Sequence, residues 1–302
     1  MRTFRHILVG ADFSVESRGA VAAAVRLSRR DGARLTLVHV AGDWEVQRLE
    51  EEAGSYDPRE KPVYVLRERL EAMLAEEGGE GLDAHCMVAR GTAPERMTRL
   101  TWEVGCDLVV VAPTGKGRMG RALLGSTAEA LVRGSRVPVW VARPRPGGEI
   151  QRVVVGLDYT IAAHAAVRAA VAQAFLSGGV VDVVHVSDTR DDGLAVARGP
   201  EGMETAGARR LASYLGDRLP DLAEHAGLMK GHTIFGEPAE ALASYASATG
   251  ADLVVVGTHE RGSVREFFVG STARRLLGDL PCCLLVTRDP STEAISPGEP
   301  SA

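Results

Sequence analysis

Two stretches of this 302-residue chain are near copies of each other. Val109 to Thr127 reads Val-Val-Val-Ala-Pro-Thr-Gly-Lys-Gly-Arg-Met-Gly-Arg-Ala-Leu-Leu-Gly-Ser-Thr. Val254 to Thr272, 145 residues later, reads Val-Val-Val-Gly-Thr-His-Glu-Arg-Gly-Ser-Val-Arg-Glu-Phe-Phe-Val-Gly-Ser-Thr. Other landmarks recur at nearly the same offset: Gly10-Ala11-Asp12 with Gly156-Leu157-Asp158, Val38-His39-Val40 with Val184-His185-Val186, and Asp107-Leu108 with Asp252-Leu253. Solenoid repeats run roughly 20–50 residues. A period this long means two whole domains of one fold, each large enough to bury its own core. Any chemistry the fold performs is therefore present as two unequal copies.

Each copy alternates strand and helix. In the first, strands are expected at 6–10, 34–40, 84–89, 108–112 and 137–142, with helices at 14–30, 62–77, 94–104 and 126–133. The polar stretch 41–61 contains Gly54 and Pro58 and reads as a loop or lid. The second copy repeats the order, with strands at 152–157, 180–186, 230–234, 253–257 and 282–287. Several strands are apolar on both faces, which indicates a parallel sheet covered by helices on each side. Right-handed crossovers then give an α/β fold of two tandem doubly wound domains, each a five-stranded parallel sheet flanked by helices. The expected boundaries are 1–143 for the first domain, 144–150 for a Pro/Gly linker, 151–288 for the second domain and 289–302 for a disordered Pro/Ser/Glu-rich tail.

The formal net charge is −5, which argues against a dedicated nucleic-acid binder. No apolar run approaches the roughly 20 residues that span a bilayer. No signal-peptide core precedes the first strand. The four cysteines, Cys86, Cys106, Cys282 and Cys283, lack metal-ligand spacing and read as small buried hydrophobes of a reduced, cytoplasmic protein.

In an open parallel sheet, ligands bind beyond the carboxyl ends of the strands where the strand order reverses. Two loops of each copy reach that edge. One carries Asp12 or Asp158. The other is glycine-rich: Gly115, Lys116, Gly117, Arg118, Gly120 and Arg121, ending in Gly125-Ser126-Thr127 at a helix start. Glycines let backbone N–H groups approach a ligand, the helix N-terminus favours an anion, and the hydroxyls and cations add donors and charge. That describes a phosphate cradle. Glycines and basic residues also fill ordinary loops, Gly-Ser-Thr is a common helix cap, and an Asp after a strand is a common turn former. No Walker A sequence occurs, and Gly115-x-Gly117-x-x-Gly120 follows the fourth strand rather than the first, which discounts it as a dinucleotide fingerprint.

The pattern resembles the universal stress protein family. Nucleotide-binding members carry Gly-x-x-Gly, nine residues, then Gly-Ser/Thr after the fourth strand of a five-stranded α/β domain. The matching positions are Ala112, Gly115, Gly125 and Ser126 in the first copy, and Gly257, Glu260, Gly270 and Ser271 in the second. The resemblance covers 4–143 and 151–288 and implies a tandem member. It implies ATP, with Mg²⁺ on its phosphates, on Asp12, Val40, Ala112, Gly115, Lys116, Arg118, Gly125, Ser126 and Thr127. A degenerate second site would comprise Asp158, Gly257, Glu260, Gly270, Ser271 and Thr272. The departures matter. Ala112 replaces a glycine at small cost unless its φ is positive. Glu260 puts a carboxylate where the family's backbone meets phosphate. Two like charges ~4 Å apart at an effective dielectric of ~20 repel by about 4 kcal/mol, roughly a thousandfold in affinity. ATP is thus expected in the first copy.

His39 and His185, ending the second strands, read as buried residues with one backbone partner each. Glu95 and Glu240 sit in first helical turns, where acids suit the dipole. Three functions fit: an ATP-binding stress regulator, an interaction scaffold or apolar-ligand binder, and a weak ATPase with Asp12 as the one candidate base. No protein residues are expected to ligate a metal. The partners expected are an adenine nucleotide and proteins of unknown identity. The fifth strands, Val137 to Val141 and Cys282 to Val286, are expected to form an internal pseudo-dimer, which a homodimer would double.

Overall fold

The computed structural model describes residues 3–53, 62–114, 125–143, 149–187, 199–258, 271–279 and 281–288. The expected linker, 144–148, and the tail, 289–302, lie outside these residues.

The first half runs β1 (His6–Gly10), α1 (Val15–Asp31), β2 (Arg34–Ala41), α2 (Asp43–Ala53), α3 (Pro62–Glu76), β3 (Ala84–Arg90), α4 (Ala93–Glu103), β4 (Leu108–Val111), α5 (Ser126–Gly134) and β5 (Val139–Val141). The second half repeats it as β6 (Arg152–Gly156), α6 (Ile161–Ser177), β7 (Val180–Ser187), α7 (Gly199–Arg218), β8 (Met229–Phe235), α8 (Pro238–Thr249), β9 (Leu253–Thr258), α9 (Ser271–Asp279) and β10 (Cys283–Arg288), with a 3-10 segment at Pro220–Leu228 before β8. One expectation fails here. The stretch 41–61 is not all loop: Asp43–Ala53 is the helix α2. Val46 holds it down by packing with Ala41 and Leu66 in a small core of its own.

Among the described residues the strands form one ten-stranded sheet in the order β3-β2-β1-β4-β5-β10-β9-β6-β7-β8. Pairing is parallel within each half, and β5 meets β10 antiparallel with Trp140 opposite Leu285. Ile7, Leu8 and Val9 of β1 are fully buried, as are Val153, Val154 and Val155 of β6. This two-faced burial is what continuous apolar strands of a parallel sheet require.

The repeated Asp-Leu has a physical role. The Asp107 carboxylate accepts hydrogen bonds from the backbone N–H of Arg5 (2.9 Å) and His6 (2.9 Å). Asp252 accepts from Gln151 (2.5 Å) and Arg152 (2.7 Å). Each aspartate, one residue before the fourth strand, thereby fixes the start of the strand beside it.

The halves also complete each other's helices. Arg143, just after β5, donates to the carbonyls of Leu277 (3.1 Å) and Gly278 (3.3 Å) in α9. Arg288, ending β10, donates to Leu131 (3.2 Å) and Val132 in α5. Both guanidiniums lie at a helix C-terminal end, where free carbonyls and the dipole favour a cation. Arg30 of α1 adds a hydrogen bond to Gln173 of α6 (2.8 Å).

Candidate functional site

In the first half, strand order reverses between β1, which leads to β2 and β3 on one side, and β4, which leads to β5 on the other. A cavity of about 340 Å³ opens at the carboxyl ends of these strands. That volume is in the range of small-molecule sites. Its walls are Gly10, Ala11 and Asp12 after β1; Val38, His39 and Val40 of β2; Gly42, Trp44 and Glu45 at the start of α2; Ala93 and Met97 by α4; Val111, Ala112 and Thr114 after β4; and Gly125, Ser126, Thr127 and Ala128 opening α5. Asp12, Val40, Ala112, Gly125, Ser126 and Thr127 thus come together as the sequence pattern suggested. Gly115, Lys116 and Arg118 lie outside the described residues.

Local chemistry explains the shape. Asp12 Oδ1 accepts from the Ser14 N–H (3.0 Å) and the Ser14 hydroxyl, and Ser14 caps α1 through the Ser17 N–H. The turn-former reading of Asp12 therefore holds, and the same carboxylate lines the cavity. Gly125 donates its N–H to the Pro113 carbonyl (2.8 Å). A Cβ on Gly125 would stand 3.0 Å from that carbonyl oxygen and 3.3 Å from the Thr114 Cα, so a side chain there would crowd backbone. Gly125 has no side-chain cap to offer, and the first turn of α5 lines the cavity. Ala112 carries no positive φ, so its extra methyl group brings no backbone strain.

The residues that sequence reasoning missed come from α2. Glu45 is almost wholly buried and its Oε2 lies 2.9 Å from His39 Nε2, while His39 Nδ1 meets the Ala11 carbonyl oxygen at 2.8 Å. His39 has the expected backbone partner and an unexpected acidic one. A carbonyl only accepts, so Nδ1 is the donor to Ala11. Trp44, 69% exposed, stands at the rim. A helical reading of 43–53 was available from the spacing of Val46 and Leu49, but the acids around them masked it.

The loop between β1 and α1 is pinned by a residue with left-handed backbone. Phe13 has φ 63° and its ring stacks 4.6 Å from His39, with the Arg69 guanidinium 4.3 Å above it. Tyr159 matches it in the second half, with φ 60° and its ring 4.8 Å from His185. Such a backbone costs a non-glycine residue roughly 1–2 kcal/mol, and in each half the ring packs against the histidine of the second strand.

The second half differs at its rim. Asp158 repeats the turn, accepting from the Thr160 N–H (3.0 Å) and hydroxyl (2.6 Å). His185 Nδ1 meets the Leu157 carbonyl at 2.8 Å. Gly257, however, lies against the first turn of α6: a Cβ there would sit 2.3 Å from the Ala162 carbonyl oxygen. Where Ala112 faces a cavity, Gly257 faces backbone. Ser271 and Thr272 open α9, while Glu260 and Gly270 lie outside the described residues. Glu95 accepts from the Thr92 hydroxyl (2.8 Å) at the start of α4, a structural role, and the Glu240 N–H is capped by Glu237 (3.3 Å). Among the described residues no group of three or more His, Cys, Asp or Glu could hold a metal ion, and no helix is long and apolar enough to cross a membrane.

The universal stress protein family profile matches residues 3–143 and again 149–288. The chain belongs to the universal stress protein family. A universal stress protein of Mycolicibacterium smegmatis is 30% identical over 93% of this chain and 96% of its own length. One from Mycobacterium tuberculosis is 26% identical over the same shares. The crystal structure of a universal stress protein from Archaeoglobus fulgidus superposes with a TM-score of 0.66 at 20% identity, covering 95% of this chain and 97% of that one, a likeness of fold. The chain is thus a tandem universal stress protein on a largely parallel α/β sheet.

Proposed function

We propose that this universal stress protein binds ATP, with Mg²⁺ on the phosphates, in its first half and acts as a nucleotide-dependent stress regulator. One observation carries the reading. Asp12, Val40 and the open N-terminus of α5 line a single cavity at the switch point of the first half. The matched position of the second half is filled, with Gly257 packed on Ala162. Adenosine would occupy the β2 side, and the phosphates would lie toward Gly125 to Thr127, with Lys116 and Arg118 supplying positive charge. Glu260 would exclude a polyanion from the second half.

Titration calorimetry of the intact protein with Mg-ATP tests the proposal. A carboxylate placed by Ser126→Asp about 4 Å from a phosphate costs about 4 kcal/mol, so affinity should fall roughly a thousandfold. Equal heats from wild type and from both Ser126→Asp and Gly125→Glu would refute phosphate binding at α5. The weak-ATPase reading fits less well, because Asp12 Oδ1 already holds two donors of Ser14. The four cysteines, none in a disulfide, accord with a reducing cytoplasm. With both fifth strands paired internally, a homodimer would use another surface.

A further inference from the structure

The cavity has two unlike ends. On the β4 side lies the first turn of α5, Gly125 to Ala128, and a helix N-terminus suits an anion. On the β2 side stands Glu45, with its side chain 9% exposed. Strands β2 and β4 flank β1, about 10 Å apart at two strand spacings, so the two ends lie on opposite sides of β1. A buried acid is costly unless its oxygens are hydrogen-bonded. His39 satisfies Oε2. Among the described residues Oε1 has no hydrogen-bond partner, and Glu45 lines the cavity.

We propose that Glu45 is a specificity-determining residue of this site, its free carboxylate oxygen accepting a hydrogen bond from a hydroxyl or amino donor on the nucleoside portion of the ligand. This rests on the nucleotide reading above. It adds which end of the ligand is read, and by which group. A bare polyanion has nothing to offer Glu45 and would be repelled by it. A nucleoside phosphate satisfies both ends, because it carries donors at one end and negative charge at the other. His39 is the positioning residue. Its Nδ1 is tied to the Ala11 carbonyl, so its Nε2 holds Glu45 in one orientation. The first turn of α2 supplies the register: the N–H groups of Glu45 (3.0 Å) and Val46 (3.1 Å) both donate to the Gly42 carbonyl. Val46 then packs inward, which leaves Trp44 at the rim.

The test is calorimetry of the intact chain with three probes: ATP, 2′,3′-dideoxy-ATP, which lacks the ribose hydroxyls, and inosine triphosphate, which lacks the amino group. Wild type should bind ATP and reject one analogue by 10- to 100-fold. The analogue rejected names the donor that Glu45 reads. Glu45→Leu should weaken ATP by a similar factor and bring the three probes within about threefold of one another, since a hydrogen bond to a charged group is being lost. Glu45→Gln, which keeps the shape, should fall between the two and covers the case in which Glu45→Leu fails to fold. If wild type binds ATP while both variants keep its affinity and its preference, Glu45 does not read the ligand. Equal affinity of wild type for all three probes overturns the inference as well. If wild type takes up none of them, the nucleotide reading itself falls and this inference with it.

Discussion

Gly257→Ala should destabilise the protein, and Ala112→Gly, at the matched position, should not do so comparably. Both residues follow or end the fourth strand of their half, yet their surroundings differ. An alanine Cβ at 257 would lie 2.3 Å from the Ala162 carbonyl oxygen, 2.7 Å from its carbonyl carbon and 3.2 Å from the Ala163 nitrogen. All three are backbone atoms in the first turn of α6, so no side-chain rotation relieves the contact. Restoring an ordinary separation requires α6 and β9 to part by about 1 Å, and overpacking of this kind costs about 1–3 kcal/mol. For a chain of this size that lowers Tm by about 2–12 °C. Ala112→Gly only removes a methyl group from a cavity wall. Its effect is the backbone freedom of glycine, about 0.5–1 kcal/mol. Thermal unfolding followed by circular dichroism checks both. A Gly257→Ala protein melting within 1 °C of wild type, or a larger drop for Ala112→Gly, would refute the argument that α6 closes the second rim.

Other outcomes follow from the same geometry. Asp252→Ala leaves two backbone N–H groups without their charged acceptor, worth about 1.5–3 kcal/mol each, so its urea midpoint should fall further than that of Asp107→Ala, whose carboxylate is 34% exposed and replaceable by water. Burial pushes the Asp182 carboxyl up, but hydrogen bonds from His232 and Arg152 outweigh it and hold the group below its ordinary value. A depressed carboxyl stabilises the fold above its unfolded value, near pH 4, and that contribution is lost as pH falls through the folded value. Wild type should therefore lose more stability between pH 5 and pH 3 than Asp182→Asn does, as read from urea midpoints at each pH. Burial pushes the Cys106 thiol up to about 12 and the Cys86 thiol up to about 11; at pH 8 neither should react with iodoacetamide until the protein is denatured, which mass spectrometry of the labelled peptides reads directly.

The sequence made the duplication, the succession of strands and helices and half of the cavity legible, because each rests on local pattern. Apolar runs buried on both faces mark strands such as Leu108–Val111, and Gly-Ser-Thr marks a helix start whether or not a ligand meets it. Asp107 and Asp252 were visible as a repeat, though their service to strands about 100 residues away in the chain was not. Helix α2 was hidden because only Val46 and Leu49 dock it on the small core with Ala41 and Leu66, while its acids imitate a loop. Glu45 was hidden with it: an acid among acids shows no sign of being the one that turns inward to a histidine. The left-handed backbone of Phe13 and Tyr159 runs against what their residue types prefer, and nothing local in the sequence marks the histidine ring that packs beside each. Gly257 matched a family position, yet its neighbour Ala162 sets its role.

The strand that borders the first half's edge is synthesised long after that half. β5 borders β10, and the cap on α5 comes from Arg288. At a translation rate of 5–20 residues per second, about 140 residues separate their emergence from the ribosome, roughly 7–30 s. Through that interval the nascent first half carries an unpaired apolar edge of Val139, Trp140 and Val141, the kind of surface that invites aggregation. Slower translation of the second half would prolong this exposure, and a chaperone that shields strand edges would limit its consequences.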